Sequence, residues 1–295
     1  MRWLSASLVE VMKMVLVMFG VGIWLSSSVA VANNLFEADY GSGNIYEFTP
    51  SGSQSTFAAR IGDPFVLAFD SSGNLFEGDN GHGNIYKFTP SGSQSTFATG
   101  VNQPVGLAFD GSGNLFEADY GLDNIYKYTP SGNKSTFATG FDLPCGLAFD
   151  SGGNLFVGDT NSDNTSGNIY KYTPSGTQST FATGLELPCG LAFDSSGNLF
   201  VADNGSGNIY KFTPSGSQST FAAGLNQPCG LAFDSSGNLF EADWGSGNIY
   251  EFTPGGTKST FANGLNGPFG LPLMSLIVSN SYWVSLRSNP RLIPT

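Results

Sequence analysis

The stretch Pro188-Cys189-Gly190-Leu191-Ala192-Phe193-Asp194-Ser195-Ser196-Gly197-Asn198-Leu199-Phe200-Val201-Ala202-Asp203-Asn204-Gly205-Ser206-Gly207-Asn208-Ile209-Tyr210-Lys211-Phe212 decides the fold. It is built of short apolar and aromatic runs divided by Gly, Asn, Asp and Ser, which read as strands joined by tight turns. A unit of the same kind, starting at Pro104, predicts four strands: Gly106–Asp110, Asn114–Asp119, Asn124–Thr129 and Ser135–Thr139. The punctuation is equally regular, with Gly111-Ser112-Gly113, Tyr120 to Asp123 and Pro130-Ser131-Gly132 between them.

Working outward, the tripeptide Asn-Leu-Phe begins at Asn34, Asn74, Asn114, Asn154, Asn198 and Asn238. The spacing is 40 residues except for one of 44, where extra residues enter around Asn161 to Ser166. A period near 40 marks a stacked or radial repeat, and four short strands per period make one propeller blade. Helical repeats of this length need Ala, Leu, Glu and Lys at 3.6-residue spacing, which the unit lacks.

The predicted fold is therefore all-β, a six-bladed β-propeller of four-stranded blades over residues 33–271. The second, third and fourth strands occur six times, but the Gly-Leu-Ala-Phe-Asp type of first strand occurs only five times. Pro268-Phe269-Gly270-Leu271 approximates the sixth. The simplest closure has this C-terminal segment supply the inner strand of the blade that begins at Asn34, which removes open sheet edges. Residues 272–295 read as a degenerate tail, in which Leu276 to Asn280 faintly echoes a second strand.

The unit resembles NHL-type repeats and the wider six-bladed group of senescence-marker/gluconolactonase-like, strictosidine synthase-like and virginiamycin B lyase-like proteins. The carrying motifs are Pro-x-Gly-Leu-Ala-Phe-Asp, Ser-Gly-Asn-Leu-Phe-Val-Ala-Asp and Gly-Asn-Ile-Tyr-Lys-Phe. That resemblance implies a fold more strongly than an activity, because the fold hosts lactonases, lyases, sensors and binders.

Composition and the N-terminus narrow the class. Of 295 residues, 40% are hydrophobic and 12% charged, which excludes a disordered chain. The formal charge of −12 argues against nucleic acid as a partner. Lys13, the apolar run Met14 to Leu25 and the small residues before Asn33 read as a signal peptide over residues 1–32. The run is too short for a spanning helix. A secreted or periplasmic, monomeric protein without a membrane span is the expectation.

Candidate site residues lie where the copies differ. After the second strand come Tyr40, Asn80, Tyr120, Thr160, Asn204 and Trp244, with His82, Asp123 and Asp163 nearby. Aromatics beside short polar groups suit a small polar molecule, a glycan or a peptide. Position x of Pro-x-Gly reads Phe65, Val105, Cys145, Cys189, Cys229 and Phe269, with Val66 replacing the first Gly. In lactonase-like relatives this position supplies metal-binding Asn or Asp, and none is present here, so their calcium site is not carried over. Three thiols in successive blades are a candidate zinc or copper(I) set; buried, duplicated small residues are the plain alternative.

Hairpin register about Ser42 would set Glu37 against Glu47 and Glu241 against Glu251, a candidate carboxylate or calcium cluster at ring closure. The same register pairs Glu77 with Lys87 and Glu117 with Lys127. The resemblance to virginiamycin B lyases, which use a His with an acid, makes His82 with Glu77 or Asp79 a candidate catalytic pair. Binding or scaffolding is the expected role, with hydrolysis or lysis of a lactone or cyclic ester as the alternative.

Overall fold

The computed structural model describes residues 34–162 and 166–274, together with the two short strands Val29–Ala30 and Ile277–Val278. These two strands pair antiparallel with each other, Val29 opposite Val278. The signal-peptide run, Asp163 and the rest of the tail lie outside the described residues.

Six four-stranded antiparallel sheets make the six blades, and no helix occurs among the described residues. Blade 2 comprises Pro64–Phe69, Leu75–Asp79, Asn84–Phe88 and Gln94–Thr99. Blade 3 comprises Pro104–Phe109, Leu115–Asp119, Asn124–Tyr128 and Lys134–Thr139. Blade 4 comprises Pro144–Phe149, Leu155–Asp159, Gly167–Tyr172 and Gln178–Leu185. Blade 5 comprises Pro188–Phe193, Leu199–Asp203, Asn208–Phe212 and Gln218–Ala222. Blade 6 comprises Pro228–Phe233, Leu239–Asp243, Asn248–Phe252 and Lys258–Ala262.

Blade 1 is composite. Its outer three strands are Asn34–Asp39, Asn44–Phe48 and Gln54–Ala59, and its inner edge is Leu273–Met274 from the far end of the chain. Asn34 lies opposite Met274 and Leu35 opposite Leu273. Further along, Ala38 N–H donates to Gly270 O at 3.1 Å and Phe269 N–H to Ala38 O at 3.1 Å. The pairing thus runs a little beyond Leu271, the expected end of the repeat.

Blades adhere through a recurring aromatic joint. Phe76 of the second strand meets Phe97 of its own outer strand at 5.0 Å and Phe109 of the next blade's inner strand at 4.9 Å, both edge-to-face. Phe36, Phe116, Phe156 and Phe200 repeat the joint. Each such ring pair adds about 0.5–1.5 kcal/mol beyond its burial. At the seam between blades 6 and 1, Phe240 keeps Phe261, but Leu35, Leu271 and Leu273 fill the other side.

The hairpin register differs by one residue from expectation. Asp39 pairs with Asn44, so the connecting turn has its centre between Gly41 and Ser42 rather than on Ser42. A one-residue slip moves a side chain to the opposite face of the sheet. Phe36 therefore faces Glu47, Phe76 faces Lys87 and Phe116 faces Lys127. The lysines lie over those phenylalanine rings, 5.2 Å from the centroids, and reach turn carboxylates instead: Lys87 to Asp70 at 3.8 Å and Lys127 to Asp110 at 3.7 Å.

Candidate functional site

A cavity of about 320 Å³ opens at one end of the central channel. Each blade can offer it three residues: the one after the inner-strand proline, the one before that proline, and the one after the second strand. Buried aspartates hold these segments in place. Asp119 accepts Asn102 N–H and Leu122 N–H, each at 2.9 Å, tying the loop that enters the blade to its own hairpin turn. Asp39, Asp203 and Asp243 make the same bridge. Burial outweighs these hydrogen bonds at Asp119 and raises its pKa. At Asp159 burial, assisted by Asp142 and Asp123, pushes it up to about 6. Asp39, Asp119, Asp159, Asp203 and Asp243 were not among the residues expected from sequence, although an aspartate ends the second strand of every blade.

The cavity wall has two unlike halves. At the seam of blades 6, 1 and 2, Phe65 and Phe269 stack with ring centroids 3.7 Å apart. Trp244 meets Phe269 at 5.9 Å, and Tyr40 bridges Trp244 at 5.5 Å and Phe65 at 5.9 Å. Val105, Tyr120, Thr160, Cys145 and Cys189 of blades 3, 4 and 5 line the rest of the wall, with Cys229 of blade 6. Four carboxamides, Asn80, Gln103, Asn204 and Gln227, complete the rim. Among the described residues, no Asp, Glu, His, Lys or Arg lines the cavity.

Gln103 and Gln227 carry a backbone cost. Both sit at φ 60°, as Leu143 does at φ 68°, while the equivalent place before the last proline is held by Gly267 at φ 78°. The left-handed region costs a non-glycine residue about 1–2 kcal/mol.

Of the expected ligand contacts, Asn80, Tyr120 and Trp244 line the cavity and Tyr40 packs behind Trp244. Asp123 does not; it occupies a left-handed turn position, φ 56°, and its Oδ1 accepts Leu143 N–H at 3.1 Å. Gln103, Gln227 and Leu187 line the cavity without having been singled out. They precede the marker proline, where no motif drew attention to them.

Other candidate sets separate. His82 is 64% exposed and contacts Asp79 Oδ2 through Nδ1 at 2.9 Å, away from the cavity wall. Glu77 is buried with both carboxyl oxygens unpartnered, so the His82–Glu77 pair is replaced by His82–Asp79. Glu37 and Glu241 are likewise buried and unpartnered. Glu47 and Glu251 lie opposite Phe36 and Phe240, so they do not join Glu37 and Glu241 in one carboxylate cluster. Glu47 instead accepts Asn34 Nδ2–H at 2.7 Å. Among the described residues no three His, Cys, Asp or Glu side chains form a metal-holding group. The calcium and zinc sets therefore do not fit these residues. All three cysteines are free thiols.

Glu37, Glu77, Glu117 and Glu241 occupy one equivalent strand-two position, which blades 4 and 5 fill with Val157 and Val201. Burial, with the aspartate two residues on, holds all four carboxyls well above the usual carboxylate range.

A family described as "SMP-30/Gluconolactonase/LRE-like region" matches residues 145–262. No curated protein matches the chain. Among solved structures, a chain of a nidogen/laminin complex is similar at TM-score 0.75 and 22% identity, covering 82% of this chain and 98% of that one. A streptogramin B lyase is similar at TM-score 0.63 and 18% identity, covering 84% and 88%. The virginiamycin B lyase of Staphylococcus aureus is similar at TM-score 0.60 and 16% identity, covering 80% and 86%. At these identities the likeness is one of fold.

Proposed function

We propose that the protein is an exported, monomeric propeller that binds a neutral polar ligand, a saccharide or a peptide segment, in the channel mouth. The observation that carries this reading is the chemistry of the wall. Aromatic faces stand beside four carboxamides and two hydroxyls, and among the described residues no charged group lines the cavity, in a chain whose net charge is −12. Amides and hydroxyls pair with the hydroxyls of a sugar or the backbone of a peptide, while Trp244 offers an apolar face. The nidogen/laminin neighbour, named for a protein complex, is consistent with a binding role.

Calorimetry against neutral oligosaccharides and short uncharged peptides tests the reading. Saturable binding that Trp244→Ala and Tyr120→Ala each weaken about tenfold or more is expected. Binding indifferent to both substitutions, or none to any member of either set, would overturn it. The second reading, a hydrolase or lyase acting on a lactone or cyclic ester, is favoured by the partial family match and the lyase neighbours. It ranks below because no carboxylate or imidazole among the described residues faces the cavity to move a proton.

A further inference from the structure

The third strands of blades 2 to 5 each carry a lysine across the aromatic joint. Lys87, Lys127, Lys171 and Lys211 hold their ammonium groups 5.2 Å from the ring centroids of Phe76, Phe116, Phe156 and Phe200. Each also reaches the aspartate that follows its blade's inner strand, as Lys87 reaches Asp70 at 3.8 Å. That aspartate accepts the side-chain amide of the asparagine before the second strand, Asn74 Nδ2–H to Asp70 Oδ2 at 2.7 Å. Ring, ammonium, carboxylate and amide thus form one recurring constellation.

Blade 1 rearranges it. Glu47 takes the lysine position opposite Phe36, and Met274 takes the aspartate position opposite Asn34. The carboxylate has moved from the turn to the third strand and keeps its amide, since Asn34 Nδ2–H donates to Glu47 Oε1 at 2.7 Å. Neither replaced position supplies an ammonium. A cavity of about 220 Å³ lies at this place, walled by Glu47, Phe36, Phe57, Phe69 and Met274. One water needs only about 10–15 Å³ of such space, so a small organic group fits. The cavity shares no residue with the channel mouth.

We propose that this cavity seats a primary ammonium group on a straight alkyl stem, the chemistry shared by a small linear diamine and by the lysine side chain of another protein. The stem packs on the half-buried rings of Phe57 and Phe69 and on Met274, and the ammonium meets Glu47. The sister blades show the same chemistry satisfied by the chain's own lysines. A net charge of −12 favours the approach of a cation. The seat stands independently of the neutral-ligand reading.

The test is calorimetric titration of the purified full-length chain with n-butylammonium, against n-butanol as its uncharged counterpart. One saturable site for the cation and none for the alcohol is expected. Glu47→Gln should weaken binding by about tenfold, the loss of a charge-assisted contact. Glu251, which stands opposite Phe240 in blade 6, is the control of equal charge, and Glu251→Gln should change affinity by less than about twofold. Glu47→Lys with Met274→Asp rebuilds the constellation of blades 2 to 5 and should abolish binding while leaving the protein folded. Nuclear Overhauser contacts from the bound methylenes to the Met274 methyl and the Phe57 and Phe69 rings decide independently of any variant. Cadaverine and Nα-acetyl-lysine methylamide then separate the two sources, the tighter binder identifying which one the cavity suits. Absence of saturable binding, equal sensitivity to Glu251→Gln, undiminished binding to the rebuilt double variant, or contacts at Trp244 and Tyr120 instead would overturn the seat.

Discussion

Val66 fills the space against Gly78 that its sister blades fill the other way round. A Cβ on Gly78 would lie 2.8 Å from Val66 Cγ1, while blades 3 and 5 place Gly106 opposite Ala118 and Gly190 opposite Ala202. The departure from Pro-x-Gly in blade 2 is therefore compensated across the same pair of strands. Gly78→Ala should destabilise the protein by about 1–3 kcal/mol through overpacking. Adding Val66→Gly should recover most of that loss, since the double variant restores the arrangement of blades 3 and 5. Denaturant unfolding of the two single variants and the double variant measures the coupling.

The four buried glutamates set a direction for pH dependence. Their folded-state pKa values lie above the unfolded value near 4.3, so their contribution is fully present below that pH and is lost as pH rises through the folded values. Asp159 acts in the same sense through about 6. The turn carboxylates Asp110 and Asp194 are lowered and act oppositely, losing their contribution in stronger acid. Thermal unfolding should therefore show greatest stability in mildly acidic solution and a decline toward pH 8. Replacing Glu77 by Val, the residue blades 4 and 5 use, should raise the midpoint at pH 8 more than at pH 4.5. A midpoint that climbs from pH 4.5 to 8 in the wild type would contradict this account.

Gln227 offers a trade between stability and binding. Gln227→Gly would relieve a left-handed backbone and should stabilise the fold by about 1 kcal/mol. It would also remove a carboxamide from the cavity rim, so ligand affinity should fall several-fold. Paired unfolding and calorimetry on this one variant read both effects. Loss of stability without change in binding would mean that the side chain serves the fold.

Asp203 ties two loops at once, accepting Glu186 N–H at 2.9 Å, Leu187 N–H at 2.7 Å and the Ser206 hydroxyl at 2.7 Å. Asp203→Ala should cost about 2–3 kcal/mol, because hydrogen bonds to a charged acceptor are lost and their donors left unpaired. Hydrogen exchange should show Glu186 and Leu187 amides losing protection first.

The architecture was legible because the repeat is so regular: a 40-residue period and four punctuated strands admit little besides a blade. Register was not, since a turn centred on a residue and one centred between residues look alike in sequence yet decide whether Glu37 and Glu47 share a face. The aromatic wall was half legible. Tyr120 and Trp244 broke the pattern and drew attention, whereas Gln103 and Gln227 declared themselves only through backbone angles. The thiols were visible as a set, but the hydrogen bonds that Cys229 makes with Asn204 and Gln227 were not.

The composite first blade imposes an order on biosynthesis. Asn34–Asp39 leaves the ribosome more than 230 residues before its partner Leu273–Met274. At about 5–20 residues per second, that strand waits roughly 10–50 s with an unsatisfied edge. During that interval any extended segment nearby, including the inner strand of a later blade, competes for the vacancy. The nascent ring thus depends on the final strand of its first blade arriving before a stranger does.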